Sequence, residues 1–210
     1  MSELSDSFDK DSYVSVNNFI APDIVKTIST YMEYCVNQNS YKDNLSDTER
    51  EKDKVSRFSR YADPLIETIL ADKLTEISKI VGKELHPTYS YSRVYVGNNV
   101  LDAHVDRPSC EYSVTVNVAT LGHPWPIYFK REGSPQTQVL LEPGDAAVYK
   151  GCEIMHWRNP MSFSGSKINA QFMLHYVDKD GPYADYKWDK RPSLGLPHAT
   201  IGQTSGTERN

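Results

Sequence analysis

From residue 87 onward the chain divides into eight short runs rich in Val, Ile, Tyr, Phe and Thr, at 88–96, 101–106, 112–120, 126–131, 137–142, 146–150, 153–158 and 168–177. β-Branched and aromatic side chains suit a pleated surface, and the Gly, Pro and Asn between the runs suit turns. Short strands at this spacing predict an all-β sandwich or barrel, a jelly roll or cupin-like shape. Two helical patterns precede them. Pro22 opens one carrying Ile24, Val25, Ile28, Tyr31, Met32 and Cys35 on one face. Asp63-Pro64 opens another, running through Leu65, Ile66, Ile69, Leu70, Leu74, Ile77, Ile80 and Val81 to a stop at Gly82. The expected architecture is therefore a mainly β core buttressed by two or more helices.

A chain of 210 residues is long enough for one domain with a real core. Within it, 1–12 reads as a disordered acidic lead, 13–86 as a helical buttress beginning with a strand at 13–20, 87–180 as the jelly-roll core, and 181–210 as a wrapping or loose tail. Residues 41–57 are charge-dense and lack apolar anchors, which reads as a solvated helix or loop, with a substrate-facing lid as the alternative. A net charge of −5 argues against nucleic acid or an anionic membrane as partner. No apolar run approaches a membrane span, and the acidic, polar beginning is unlike a secretory signal. Cys35, Cys110 and Cys152 are odd in number and lack C-x-x-C spacing, so they read as reduced packing thiols in a cytoplasmic protein.

Chemistry enters with "LDAHVDRP" at 101–108. On a strand, the period of two sends His104 and Asp106 to the same face. A third ligand must come from a later strand. His86 and His123 sit beside prolines and read as structural, His198 is in the tail, and His175 in "FMLHYVD" reads as a core histidine. His156, in "GCEIMHWRNP", follows the turn and strand of "EPGDAAVY" and is the remaining partner. Two histidines and one carboxylate with open positions are the ligand set of non-haem Fe(II) sites that activate O₂. A structural zinc would want four closed ligands, usually with thiolates, which these cysteines are not spaced to give. Oxygen activation also needs two further electrons. If a dicarboxylate such as 2-oxoglutarate supplies them, its far carboxylate needs a buried cation. Lys167, at the start of "KINAQFMLHYV", is the preferred partner and Arg158 the alternative, since both can point inward by parity.

Residues 89–178 resemble the 2-oxoglutarate/Fe(II)-dependent dioxygenase superfamily, specifically its prolyl 4-hydroxylase-like branch. The matching pieces are "SRVYVGNNVLDAHVDRP", "YSVTVNVAT", "LLEPGDAAVYKGCEIMHWRNP" and "KINAQFMLHYVDKDGP", with "NNFIAPDIV" resembling that branch's approach to its first helix. The resemblance implies a double-stranded β-helix, Fe(II) on His104, Asp106 and His156, and 2-oxoglutarate paired to a basic residue on the late strand. It also implies Tyr95 as a hydrogen-bond donor to the co-substrate. Asn117 stands where the family often has a co-substrate-contacting tyrosine. The family's basic residue usually falls slightly nearer the distal histidine, so Lys167 requires a longer loop.

The activity so implied is hydroxylation of a C–H bond with release of succinate and CO₂, ascorbate serving as reductant. A prolyl residue of a peptide or protein is the expected substrate, with Tyr91, Tyr95, Trp157 and Arg107 available to stack on its ring and hold peptide carbonyls. One alternative is hydroxylation of a free amino acid or small metabolite. Another is a non-catalytic cupin-like protein that binds a metal or carboxylate, against which Lys167 speaks.

Overall fold

A computed structural model describes residues 3–43 and 58–197, with side chains as far as residue 38 in the first span. Among the described residues, ten strands form two antiparallel sheets. In chain order the strands are β1 (Tyr13–Val16), β2 (Phe58–Tyr61), β3 (Leu85–Val96), β4 (Leu101–His104), β5 (Tyr112–Gly122), β6 (Ile127–Lys130), β7 (Thr137–Val139), β8 (Ala146–Lys150), β9 (Met155–Arg158) and β10 (Ser166–Asp178). The larger sheet runs β1-β8-β5-β10-β3-β2 and the smaller β4-β9-β6-β7. This is the jelly-roll core with helical buttress that the strand spacing predicts, and every expected run from 88 to 177 contains a strand.

Side-chain alternation divides the larger sheet into an apolar face and a polar one. Phe172, Leu174 and Tyr176 of β10 and Val94 of β3 join the main hydrophobic core. They meet α2 (Pro22–Asp43), α3 (Pro64–Asp72) and α4 (Leu74–Val81), whose Ile28, Ile66, Leu70 and Ile77 are almost wholly buried. The intervening residues Tyr91, Arg93, Tyr95, Gln171, Met173 and His175 line a cavity on the opposite face. The sheet thus separates a dry, stabilising layer from a chemically equipped one.

Three expectations are corrected, and one strand was missed. The lead at 1–12 contains a helix, α1 (Glu3–Asp11), because Phe8, helped by Leu4, anchors a mostly polar segment: Phe8 is 1% exposed and packs 6.2 Å, ring centre to ring centre, from Tyr112. The strand expected at 13–20 stops at Val16, and Asn18 takes a left-handed conformation in the following turn. The single helix expected from Pro64 is two, joined at Lys73, with Gly82 closing the second at φ +74°. Strand β2 was not expected, since only Phe58 of its four residues is buried and no alternation marks it. Of the charged segment 41–57, residues 44–57 lie outside the described residues, as do 198–210 of the tail.

The described part of the tail wraps the core. Arg191 pairs with Glu67 of α3, both side chains being almost fully buried, and donates to the Thr88 carbonyl at 2.9 Å. Among the described residues, no helix is long and apolar enough to cross a membrane, and all three cysteines are free, Cys35 and Cys110 being buried. If α1 belongs to the fold, Phe8→Ala should cost about 3 kcal/mol through the cavity it leaves. Urea unfolding measures this, and a midpoint equal to wild type would show that α1 does not contribute.

Candidate metal and anion site

Strand β4 pairs antiparallel with β9 so that His104 stands directly opposite His156, with ring centres 4.4 Å apart. Asp106 follows β4, and its main-chain N–H donates to the Gly151 carbonyl at 2.8 Å. The Asp106 Oδ1 atom lies 3.6 Å from Nε2 of each histidine. The three potential ligand atoms are all within 4.8 Å of one another.

The tautomers follow from the second ring nitrogens. A carbonyl oxygen only accepts, so Nδ1 of His104 donates to Asp102 at 2.7 Å and Nδ1 of His156 donates to Ile154 at 3.0 Å. Both Nε2 lone pairs are thereby turned toward the Asp106 carboxylate. On that carboxylate, Oδ2 accepts from the Ser113 hydroxyl at 2.7 Å, leaving Oδ1 facing the imidazoles. Ser113 in turn contacts His175 Nδ1 at 2.9 Å. His175 is the core histidine the sequence suggests, its pKa pushed down to about 4 chiefly by burial. Burial also acts to raise the Asp106 pKa, but protonation of the facing His104 and His156 rings at Nε2 outweighs it and holds the carboxyl well below its usual range.

Two imidazole nitrogens and one hard oxygen, with a cavity on their open side, fit a facial Fe(II) site better than a closed zinc site. Asp106, Cys110 and His175 form a second, overlapping group. It suits a metal less well. Burial pushes the Cys110 thiol up to about 12, its sulfur meets the Tyr89 hydroxyl at 3.1 Å, and His175 is engaged with Ser113.

The adjoining cavity has a volume of about 260 Å³. Arg158 reaches it from β9 and is 2% exposed. Its Nη2 donates to Gln171 at 2.9 Å, its Nη1 donates to the Trp125 carbonyl, and its guanidinium lies 5.1 Å from the Trp125 ring centre. Burial pushes its pKa down to about 10, so it stays charged at neutral pH. Tyr95 is 1% exposed, lines the cavity and meets Trp125 edge-on at 4.9 Å.

Lys167 does not reach inward. It is exposed at a bulge where the β10–β5 register shifts between Ser166 and Ile168, so simple alternation fails there. Asn117 shares parity with Ser113 and Thr115 but lies beyond the cavity, where its amide donates to the Leu141 carbonyl at 2.7 Å and its oxygen accepts from Asn169. Trp157 alternates away from His156 and stacks on Tyr128 at 5.5 Å. Arg107 is forked onto Asp189 at 3.0 and 2.8 Å and lies over Tyr89, outside the cavity wall. Arg93, Ser113 and the Arg158-holding role of Gln171 escaped the sequence reading. Parity with Tyr91 and Tyr95 was the available signal for Arg93.

Gly151 is packed so closely that a Cβ there would sit 2.2 Å from the Cys110 carbonyl and 2.4 Å from Asp106 Oδ2. Gly151→Ala should therefore displace the carboxylate and weaken Fe(II) binding roughly ten-fold or more, as loss of a ligand's supporting contacts does. Anaerobic metal titration measures the effect, and wild-type affinity would contradict this account of how Asp106 is held.

No protein-family model matches the chain, and no curated protein matches its sequence. Solved structures do match. A Pseudomonas putida prolyl-4-hydroxylase superposes with a TM-score of 0.59 at 12% identity, over 83% of this chain and 97% of that one. EctD from S. alaskensis, in its apoform, gives 0.65 at 16%, over 85% and 77%. HygX from Streptomyces hygroscopicus, with nickel and 2-oxoglutarate bound, gives 0.61 at 11%, over 86% and 88%. A Burkholderia pseudomallei oxidoreductase of the 2OG-Fe(II) oxygenase family gives 0.62 at 12%, over 83% and 88%. Together with the two-sheet core described above, these superpositions show that the chain has the fold of the 2OG-Fe(II) oxygenases.

Proposed function

We propose that this protein is an Fe(II)- and 2-oxoglutarate-dependent dioxygenase that hydroxylates an unactivated C–H bond and releases succinate and CO₂. The observation that carries the reading is the convergence of His104, Asp106 and His156 beside a cavity containing a buried arginine. These three side chains hold Fe(II). When bound, iron would supply the activation of O₂, with two electrons from 2-oxoglutarate and two from the substrate C–H bond, one oxygen atom ending in succinate and the other in the product.

The chain's own residues bind, orient and exclude water. Arg158, fixed by Gln171 and the Trp125 carbonyl, takes the C5 carboxylate of 2-oxoglutarate in place of Lys167. Its guanidinium presents the planar fork that suits a carboxylate. The Tyr95 hydroxyl donates a hydrogen bond beside it. Ile127 and Met173 help line the cavity, giving it apolar surface. The nickel and 2-oxoglutarate bound to HygX support this assignment of ligands. Three free cysteines suit a reducing compartment such as the cytoplasm, and ascorbate serves as reductant.

For the substrate, the P. putida fold relative supports a prolyl residue of a peptide or protein, and Tyr91 and Tyr95 remain available on the cavity wall. Trp157 and Arg107 are committed elsewhere, which removes half of the peptide-binding surface expected. A cavity of about 260 Å³ favours the second reading, hydroxylation of a small molecule. The HygX structure with hygromycin B shows this fold accommodating one.

His104→Ala or Asp106→Ala should abolish 2-oxoglutarate-dependent succinate formation without unfolding the protein, because neither lies in the main core. A charge-assisted contact contributes roughly 1.5–3 kcal/mol, so Arg158→Ala should raise the 2-oxoglutarate requirement at least ten-fold. Lys167→Ala should leave it unchanged. Wild-type turnover by either ligand variant rejects the metal assignment, and the reverse result for Arg158 and Lys167 rejects the co-substrate assignment.

A further inference from the structure

Strand β10 carries Gln171, Met173 and His175 along the cavity wall at alternate positions. Gln171 marks one end of that row, where its amide oxygen accepts from Arg158 and from the Thr115 hydroxyl. His175 marks the other. Four residues along a strand separate the two by roughly 13 Å. The Asp106 carboxylate divides them as well: Oδ1 faces the two imidazoles, whereas Oδ2 is turned to Ser113 and, through it, to His175. A dicarboxylate anchored at Arg158 and reaching the metal ligands leaves the His175 end to another molecule.

The hydrogen bonds around Ser113 fix the tautomer of His175. The hydroxyl has a single proton, and the carboxylate oxygen at 2.7 Å can only accept it. The Cys110 carbonyl at 3.2 Å is the weaker claimant. The hydroxyl oxygen is then left to accept from His175 Nδ1 at 2.9 Å. Burial keeps the ring neutral at pH 7, so with the proton on Nδ1 the lone pair is on Nε2. His175 is 5% exposed and packs on Tyr89 with ring centres 4.5 Å apart. Among the described residues, its Nε2 has no hydrogen-bond partner. A buried acceptor without a donor is costly, and a ring that lines a cavity can receive its donor from a molecule bound there.

Resting on the dioxygenase reading above, we propose that His175 Nε2 accepts a hydrogen bond from the primary substrate, a molecule with a hydroxyl or N–H group close to the carbon that is hydroxylated. Closeness follows from the path to the metal ligands, since Ser113 alone stands between His175 and Asp106. An ether or carboxylate oxygen presented to Nε2 would set lone pair against lone pair and be rejected. Arg158 holds the co-substrate and His175 selects the substrate.

The test uses protein loaded with redox-inert Zn(II), saturated with 2-oxoglutarate and labelled with ¹⁵N at histidine. Long-range ¹H–¹⁵N spectra should show His175 protonated at Nδ1 and unprotonated at Nε2. Fragment titrations then compare small alcohols with their methyl ethers, and N-acetyl amino acid N-methylamides with the N,N-dimethylamides, the L-proline derivatives among them. At least one donor is expected to bind roughly five-fold or more tightly than its methylated form, as one buried hydrogen bond requires, and to shift the Nε2 resonance. His175→Asn keeps an amide N–H near Ser113 but lacks the far acceptor. It should erase the preference while Zn(II) and 2-oxoglutarate affinities change far less, and His175→Gln, with an acceptor near Nε2, should restore part of it. A protonated Nε2, no binding by any fragment, equal binding within every pair, or a preference that survives in His175→Asn overturns the proposal. So does a His175→Asn loss that falls mainly on Zn(II) or 2-oxoglutarate. Succinate formation by Fe(II)-loaded wild-type protein without primary substrate reports separately on the dioxygenase reading. Its absence beside an intact donor preference would sink that reading and leave the His175 site standing.

Discussion

The pairing of β4 with β9 is the constraint on which the site depends. It sets His104 against His156 and brings the Asp106 carboxylate equally close to both imidazoles. Each contact behind these groups is a backbone carbonyl or a buried hydroxyl, so the ligand atoms are aimed by the fold itself rather than by other mobile side chains. Gly151 matters for the same reason. Its lack of a side chain lets the β8–β9 turn close over Asp106 and Ser113.

The larger sheet gives the second half of the account. Its alternation sends Phe172 and Leu174 into the helix-covered core and Gln171 and Met173 into the cavity. Burying Arg158 is costly, and the fold offsets that cost with a carbonyl, an amide oxygen and an aromatic face. Such an arrangement adds little stability compared with an apolar side chain of the same size. It makes sense as a preorganised receptor for an anion.

Much of this was legible in the sequence because strands obey a period of two. Parity groups His104 with Asp106, although β4 ends at His104 and the bond from Asp106 N–H to the Gly151 carbonyl is what sets the carboxylate, and strand spacing predicts the two-sheet core. Where parity broke, the reading broke with it. Lys167 lies at a bulge, which no residue type announces, and the role expected of it is proposed for Arg158, whose parity with His156 was visible. Trp157 illustrates the opposite case, since alternation from His156 already implied that it faces away. Helix α1 was hidden by composition: a polar segment held by Phe8 has too weak an apolar signal to separate from a disordered one. Strand β2 owes its existence to pairing with β3, a contact made across distant sequence.

The central claim is that one Fe(II) and one 2-oxoglutarate bind together on these residues. Anaerobic addition of 2-oxoglutarate to the Fe(II)-loaded protein, followed by visible charge-transfer absorption, tests it most directly. The account predicts absorption that requires both components, saturates at one iron per chain and is lost with His156→Ala. A folded protein that gives no absorption, or gives it undiminished with His156→Ala, would contradict it.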